Sequence, residues 1–173
     1  GEVADERPSN VRTDGLPTDV VVEYVCNEAD LISTFVATVL KQDPDFVMGY
    51  EIQKSSIGYI IERAKTLDPP VDVLRAMSRI PLEEADTRNE TDTYGRAHSS
   101  GIWILGRTVL NLWRLMRSEL KLARYSFHNV VATVLSRRVP DYLPEQLTRW
   151  FSCPATRWRT IAYMLDRART DLL

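Results

Sequence analysis

The chain has 173 residues, 44% of them hydrophobic and 27% charged, which is long enough for one domain with a real core and ordinary for a globular protein. Its formal net charge of −2 gives no global pull toward nucleic acid. No apolar run approaches the roughly 20 residues that span a bilayer, and no basic-then-apolar start resembles a signal peptide.

Residues 1–18 are polar, with Pro8, Gly15 and Pro17 as breakers, and read as a loop or flexible lead-in. The start at Gly1-Glu2-Val3, without Met, predicts a piece of a longer protein. Val20 to Val25 is β-branched and reads as a strand. Asn27 offers a helix N-cap, with Glu28 and Asp30 in the first turn, where the helix dipole favours acids. Leu31, Phe35 and Val39 continue that helix to about Lys41. Phe46 to Gly49 is short and apolar. It reads as an interior strand, buried on both faces, of a parallel pair joined by a helical crossover.

Ile57, Ile60, Ile61 and Ala64 mark the next helix face, which Asp68-Pro69-Pro70 ends. Val71 to Ile80 carries a shorter helical pattern. Residues 81–100 are polar and aperiodic, and read as a surface loop or insertion. Gly101 to Asn111 predicts one or two strands, with a bulge or bend at Gly106. Leu112, Leu115, Met116 and Leu120 recur helically. Ser126 caps a helix through Val130, Val131 and Val134. Residues 140–144 break the chain, Glu145 to Phe151 is a short helix, and Pro154 marks the start of the last one.

Most polar candidates have plain readings. Asp43 and Asp45, at a helix–strand junction beside Pro44, are turn and cap formers before they are ligands. Glu51 could hold a lone ion weakly but reads as a solvated strand-end acid. His98 falls in the polar loop, and His128 is a helix-surface or packing residue. Trp103, Trp113, Trp150 and Trp158 lie in apolar periodic stretches, which favours core packing over base stacking. Arg114, Arg117, Lys121 and Arg124 recur at helical spacing. Glu119 interrupts them, so they read as a solvated face. Cys26 and Cys153 lack metal-like spacing and read as buried or incidental thiols of a reducing compartment.

The words of the sequence say more than its pattern. Asp43-Pro44-Asp45, Gly49-Tyr50-Glu51-Ile52-Gln53 and Tyr59-Ile60-Ile61-Glu62-Arg63-Ala64 come first. Gly106-Arg107-Thr108-Val109-Leu110-Asn111-Leu112-Trp113-Arg114 follows, and then Tyr125-Ser126-Phe127-His128-Asn129-Val130. In this order and spacing they resemble the exonuclease domain of family B DNA polymerases, and its translesion branch in particular, over roughly Val20 to Leu173.

The resemblance implies a partial ribonuclease-H-like 3′–5′ exonuclease fold. This is an α/β architecture with a few-stranded mixed sheet flanked by several helices over residues 19–173, its first strands lying upstream. Val20–Val25, Phe46–Gly49 and Ile104–Leu110 should then share one sheet.

Proofreading members hold two divalent ions with four carboxylates, because only anionic oxygens hold two hard cations about 4 Å apart. Their second motif has Phe-Asp where this chain has Ser55-Ser56, and Asn where it has Glu51. Their third motif pairs a Tyr with an Asp four residues on, and the best match here is Trp158 with Ala162. Asn111 stands where replicative members carry Asp.

Ser56, Asn111, Trp158 and Ala162 are thus degenerate exonuclease positions, and no catalytic, cofactor-binding or metal-ligating residue is expected in the segment. The implied function is an inactive exonuclease-like scaffold of a translesion DNA polymerase. Two alternatives are an active metal-dependent exonuclease that uses Asp166 or Asp171 as a ligand, and a subunit-interaction module. For the rest of the parent chain the resemblance implies DNA-directed DNA polymerase activity, Mg and an iron–sulfur cluster. It also implies primer–template DNA and accessory subunits as partners, a nuclear location and no membrane.

Overall fold

The computed structural model describes residues 20–80 and 101–173, so the expectations for residues 1–18 and 81–100, His98 among them, lie outside it. Two compact units emerge. One runs from Val25 to Tyr125, and the other holds Ser126–Leu173 with the segment ending at Tyr24.

The first unit begins with α1, Glu28–Gln42. Asn27 Oδ1 accepts the backbone N–H of Asp30 at 2.8 Å, the N-cap that the sequence announces. Asp43 ends the helix in the left-handed region, φ 45°, a conformation that Asp and Asn tolerate better than most residues. Strand β1, Phe46–Gly49, follows at once. Helices α2, Ile57–Lys65, and α3, Val73–Met77, come next. Strand β2, Thr108–Asn111, runs parallel to β1, with Phe46 opposite Thr108 and Gly49 opposite Asn111. Helix α4, Leu112–Glu119, leaves β2 with no connecting residue.

Alternation along the strands sends Val47 and Val109 to one face of the pair, and both pack on the core. That core joins Ile32 and Val36 of α1, Ile61 and Ala64 of α2, and Val73 and Met77 of α3 to Ile52, Ile102 and Ile104. Ile52 and Met77 are fully buried, each worth about 1.5–3 kcal/mol.

Several expectations change. Val20–Val25 forms no strand among the described residues, because β propensity measures packing on a neighbouring strand rather than an intrinsic backbone preference. The described sheet is a parallel pair, not a mixed sheet. Ile104 belongs only to an isolated antiparallel bridge with Arg107, across a turn at Gly106, φ 79°. A Cβ there would lie 2.8 Å from the Arg79 side chain, so glycine suits the site doubly. Strand β1 is not buried on both faces: Val47 and Met48 are half-buried and Phe46 is exposed.

The second unit holds α5, Phe127–Val134, α6, Pro144–Ser152, and α7, Arg157–Thr170. Phe127, Val130 and Val131 are buried. The Thr160 hydroxyl of α7 donates to Leu147 O of α6 at 3.1 Å. Ser126 precedes α5 without a side-chain cap bond. Proline opens a helix at Pro144, the first position of α6, and not at Pro154, three residues before α7.

Candidate functional site

Parallel strands place ligands beyond their carboxyl ends. Here β1 ends at Gly49 and β2 at Asn111, register partners. The chain leaves β1 through Tyr50, which is buried. Its hydroxyl donates to Tyr125 O at 2.7 Å, and its carbonyl accepts the Trp113 N–H at 3.1 Å. Tyr50 thereby fixes the first turn of α4 against the end of β1.

A tight turn follows, in which Glu51 O accepts from the N–H groups of both Lys54 and Ser55 at 3.0 Å. Ile52 turns into the core, and its carbonyl accepts the Gly58 N–H at 2.8 Å. A Cβ on Gly58 would sit 1.9 Å from Gln53 O, so this return of the chain requires glycine.

The turn sets Ser56, the residue before α2, against the end of β1: its Oγ lies 3.1 Å from where a Gly49 Cβ would be. Ser56 Oγ is buried and has no hydrogen-bond partner. Asn111 stands across the ladder from Gly49 and precedes α4, where its Oδ1 accepts the Arg114 N–H at a long 3.4 Å. Two of the four sequence-chosen positions, Ser56 and Asn111, therefore flank one glycine.

Beside them is a pocket of about 160 Å³, lined by Glu51, Gln53, Lys54, Asn111, Trp113 and Arg114. It is smaller than the roughly 300 Å³ at which small-molecule sites begin. The oxygen donors gathered here are the Ser56 hydroxyl, the amides of Gln53 and Asn111 and the exposed carboxylate of Glu51. They do not fit a pair of divalent cations, which needs several anionic oxygens. Among the described residues no group of three or more His, Cys, Asp or Glu could hold a metal ion. Two cysteines in the whole chain do not fit an iron–sulfur cluster either, which takes four.

Trp158 and Ala162 lie in the second unit, four residues apart on one face of α7. They line a groove with Tyr142, Trp150, Tyr163 and Asp166. Asp166 Oδ1 accepts from Arg137 Nη2 at 2.7 Å, so this alternative ligand is already an ion-pair partner. Asp171 is the C-cap residue of α7.

A cluster that the sequence reading missed sits at the amino ends of the strands. The Arg107 side chain is 1% exposed. Its Nε donates to Met77 O at 2.9 Å, and its Nη1 to Pro44 O at 2.6 Å and Asp43 Oδ1 at 2.8 Å. Arg79 donates to Asp43 Oδ1 and Asp45 Oδ1, each at 2.7 Å. The hydrogen bond from Arg79 is the main cause holding the Asp43 carboxyl below its usual range, with Arg107 adding to it. Asp43 and Asp45 are thus structural, and the arginine after Gly106 is the available sequence clue.

The tryptophans also depart from expectation. Trp103 is exposed and the other three are half-buried, with arginines over three of the rings: Arg117 on Trp113, and Arg159 on both Trp150 and Trp158. Stacked guanidinium cations let aromatic faces stay partly at the surface. His128 is half-buried, packed edge-on against Phe127, with its Nε2 3.1 Å from Pro140 O. Helix α4 ends at Glu119, before Lys121 and Arg124, so the expected basic helical row is broken. Cys26 and Cys153 are both free and exposed rather than buried.

The family described as DNA polymerase family B, exonuclease domain, matches residues 2–130. The chain belongs to this family. The match takes in the whole Val25–Tyr125 unit of the exonuclease domain, with Ser56 and Asn111, and stops before Trp158 and Ala162. The chain is 36% identical over 159 residues to the DNA polymerase zeta catalytic subunit of Drosophila melanogaster, covering 91% of this chain and 7% of that protein. It is 37% identical over 159 residues to the Homo sapiens DNA polymerase zeta catalytic subunit, covering 90% and 5%. For the Saccharomyces cerevisiae DNA polymerase zeta catalytic subunit the identity is 32% over 157 residues, covering 89% and 10%. The chain thus spans a tenth or less of the length of these relatives. Among the described residues no helix is long and apolar enough to cross a membrane.

Proposed function

We propose that this exonuclease domain serves as a folded scaffold of a translesion-type DNA polymerase and has no 3′–5′ exonuclease chemistry of its own. The observation that carries the reading is Ser56. At the carboxyl end of β1, where the family resemblance puts a metal-binding Asp, this chain buries a hydroxyl with no partner against Gly49. The neighbouring Asn111 brings an amide. If Trp158 and Ala162 are the third-motif positions, they bring an indole and a methyl.

Two cations at such a site would repel one another with too little negative charge between them. Loss of a single catalytic electrostatic group commonly costs about 10²–10³ in rate, and two lost ligands cost more. The pairing of Asp166 with Arg137 weighs against that residue as a substitute. An enzyme that extends mismatched or damaged ends gains from losing an editing site that would excise its own product. On this reading the fold is ribonuclease-H-like. The polymerase chemistry, its Mg and iron–sulfur cofactors, primer–template DNA and accessory subunits belong to a larger nuclear enzyme.

The test is a nuclease assay on the complete domain within its polymerase, with Mg²⁺ and with Mn²⁺, on a single-stranded 3′ end, alongside calorimetric titration of the same ions. We expect no excision and no stoichiometric two-ion binding. Excision abolished by Asp166→Asn would overturn the reading in favour of an active exonuclease. So would recovery of activity by Ser56→Asp alone.

A further inference from the structure

The α6–α7 groove has a composition that its packing does not explain. Tyr142 meets Trp150 edge-on at 4.9 Å and Tyr163 at 5.1 Å. Arg159, exposed, stands over Trp150 at 6.0 Å and Trp158 at 5.7 Å. Ala162 leaves room between them, and the groove measures about 550 Å³. Its acid, Asp166, is neutralised by Arg137. Arg159 is therefore the lining cation that carries net charge into the groove. Its surroundings agree in sign, since Ser126–Leu173 holds seven arginines against four carboxylates.

We propose that this groove docks a short extended peptide of a partner protein, proline-rich and carrying an acidic residue that pairs with Arg159. Aromatic-lined grooves suit the preformed polyproline helix, whose rings fit between aromatic edges at little entropic cost. The alternative, single-stranded nucleic acid, fits less well. Base stacking needs open ring faces, and here Arg159 lies over both Trp150 and Trp158. A phosphate backbone also calls for a row of cations, where the groove lining offers one.

The indole N–H signals in a proton–nitrogen NMR spectrum of the 173-residue chain test this. The probes are the synthetic peptide Ac-Pro-Pro-Glu-Pro-Pro-Glu-Pro-amide, the same peptide with Lys for Glu, and a thymidine octanucleotide. Saturable shifts of Trp150 and Trp158 with the Glu peptide, and none of Trp103 or Trp113, are expected. The Glu peptide should bind about three-fold more tightly than the Lys peptide, the scale of one exposed charge pair, and Arg159→Glu should reverse that order. Absence of saturable shifts at millimolar peptide would overturn the proposal. So would a charge order unmoved by Arg159→Glu, or tighter binding of the oligonucleotide at the same two signals.

Discussion

Removing the Ser56 hydroxyl should leave the protein as stable or more so, although Ser56 occupies the N-cap position of α2. A serine at an N-cap normally contributes about 1 kcal/mol through a side-chain bond to the backbone, but Ser56 makes no such bond. Its Oγ is buried without a partner, and an unsatisfied buried polar group costs about 1–3 kcal/mol. The void left by one oxygen costs back a few tenths of a kcal/mol, at about 24 cal/mol per Å³. Ser56→Ala should therefore gain on the order of 1 kcal/mol, or roughly 2–4 °C in Tm for a chain of this size.

Ser56→Asp should do the reverse. The carboxylate would be buried against Gly49, where Oγ already lies 3.1 Å from a Cβ position, and should cost several kcal/mol. Urea unfolding of both variants, followed by far-UV circular dichroism at pH 7, measures this through the midpoint at unchanged slope. A loss of more than 1 kcal/mol in Ser56→Ala would refute the reasoning, because the hydroxyl would then have a partner. A fully stable Ser56→Asp would mean that the position still accommodates a charged ligand.

Three further outcomes follow from the packing. Val47→Asp places a charge on the core face of β1 opposite Val109 and should cost about 2–4 kcal/mol in thermal melts, less than a fully buried site would; in the intact polymerase, protein level and lesion bypass should fall together. Arg107→Met removes the donors for Met77 O and Pro44 O and should cost about 2–4 kcal/mol in urea, with Arg107→Lys recovering only part because a point charge cannot reproduce the fork. The folded-state carboxyl of Asp43 is depressed by Arg79 and Arg107, so its contribution is present above the unfolded value near 3.9 and lost as pH falls through the lower folded value. Urea midpoints from pH 6 to pH 3 should therefore fall less in Asp43→Asn, which keeps the left-handed backbone, than in the wild type; parallel curves would contradict the assignment.

Much of the secondary structure was legible in the sequence because its signals are local. Asn27 with acids in the first turn gives the start of α1. The short apolar run after Pro44 gives β1, and the 3.6-residue spacing of Ile57, Ile61 and Ala64 gives the buried face of α2. Ser56 and Asn111 were singled out from words of sequence, and the fold sets both beside Gly49.

Tertiary structure decided the rest. Val20–Val25 has strand composition, but a strand exists only where another backbone completes its ladder. The tryptophans have core-like neighbours in sequence, yet arginines brought over three of the rings leave those rings half at the surface. Asp43 met Arg107 only when the chain, 64 residues later, laid β2 beside β1. Whether the Ser56 hydroxyl is bonded or orphaned depends on what the Gly49 backbone and the turn at Ile52 leave around it, and no spacing along the chain encodes that.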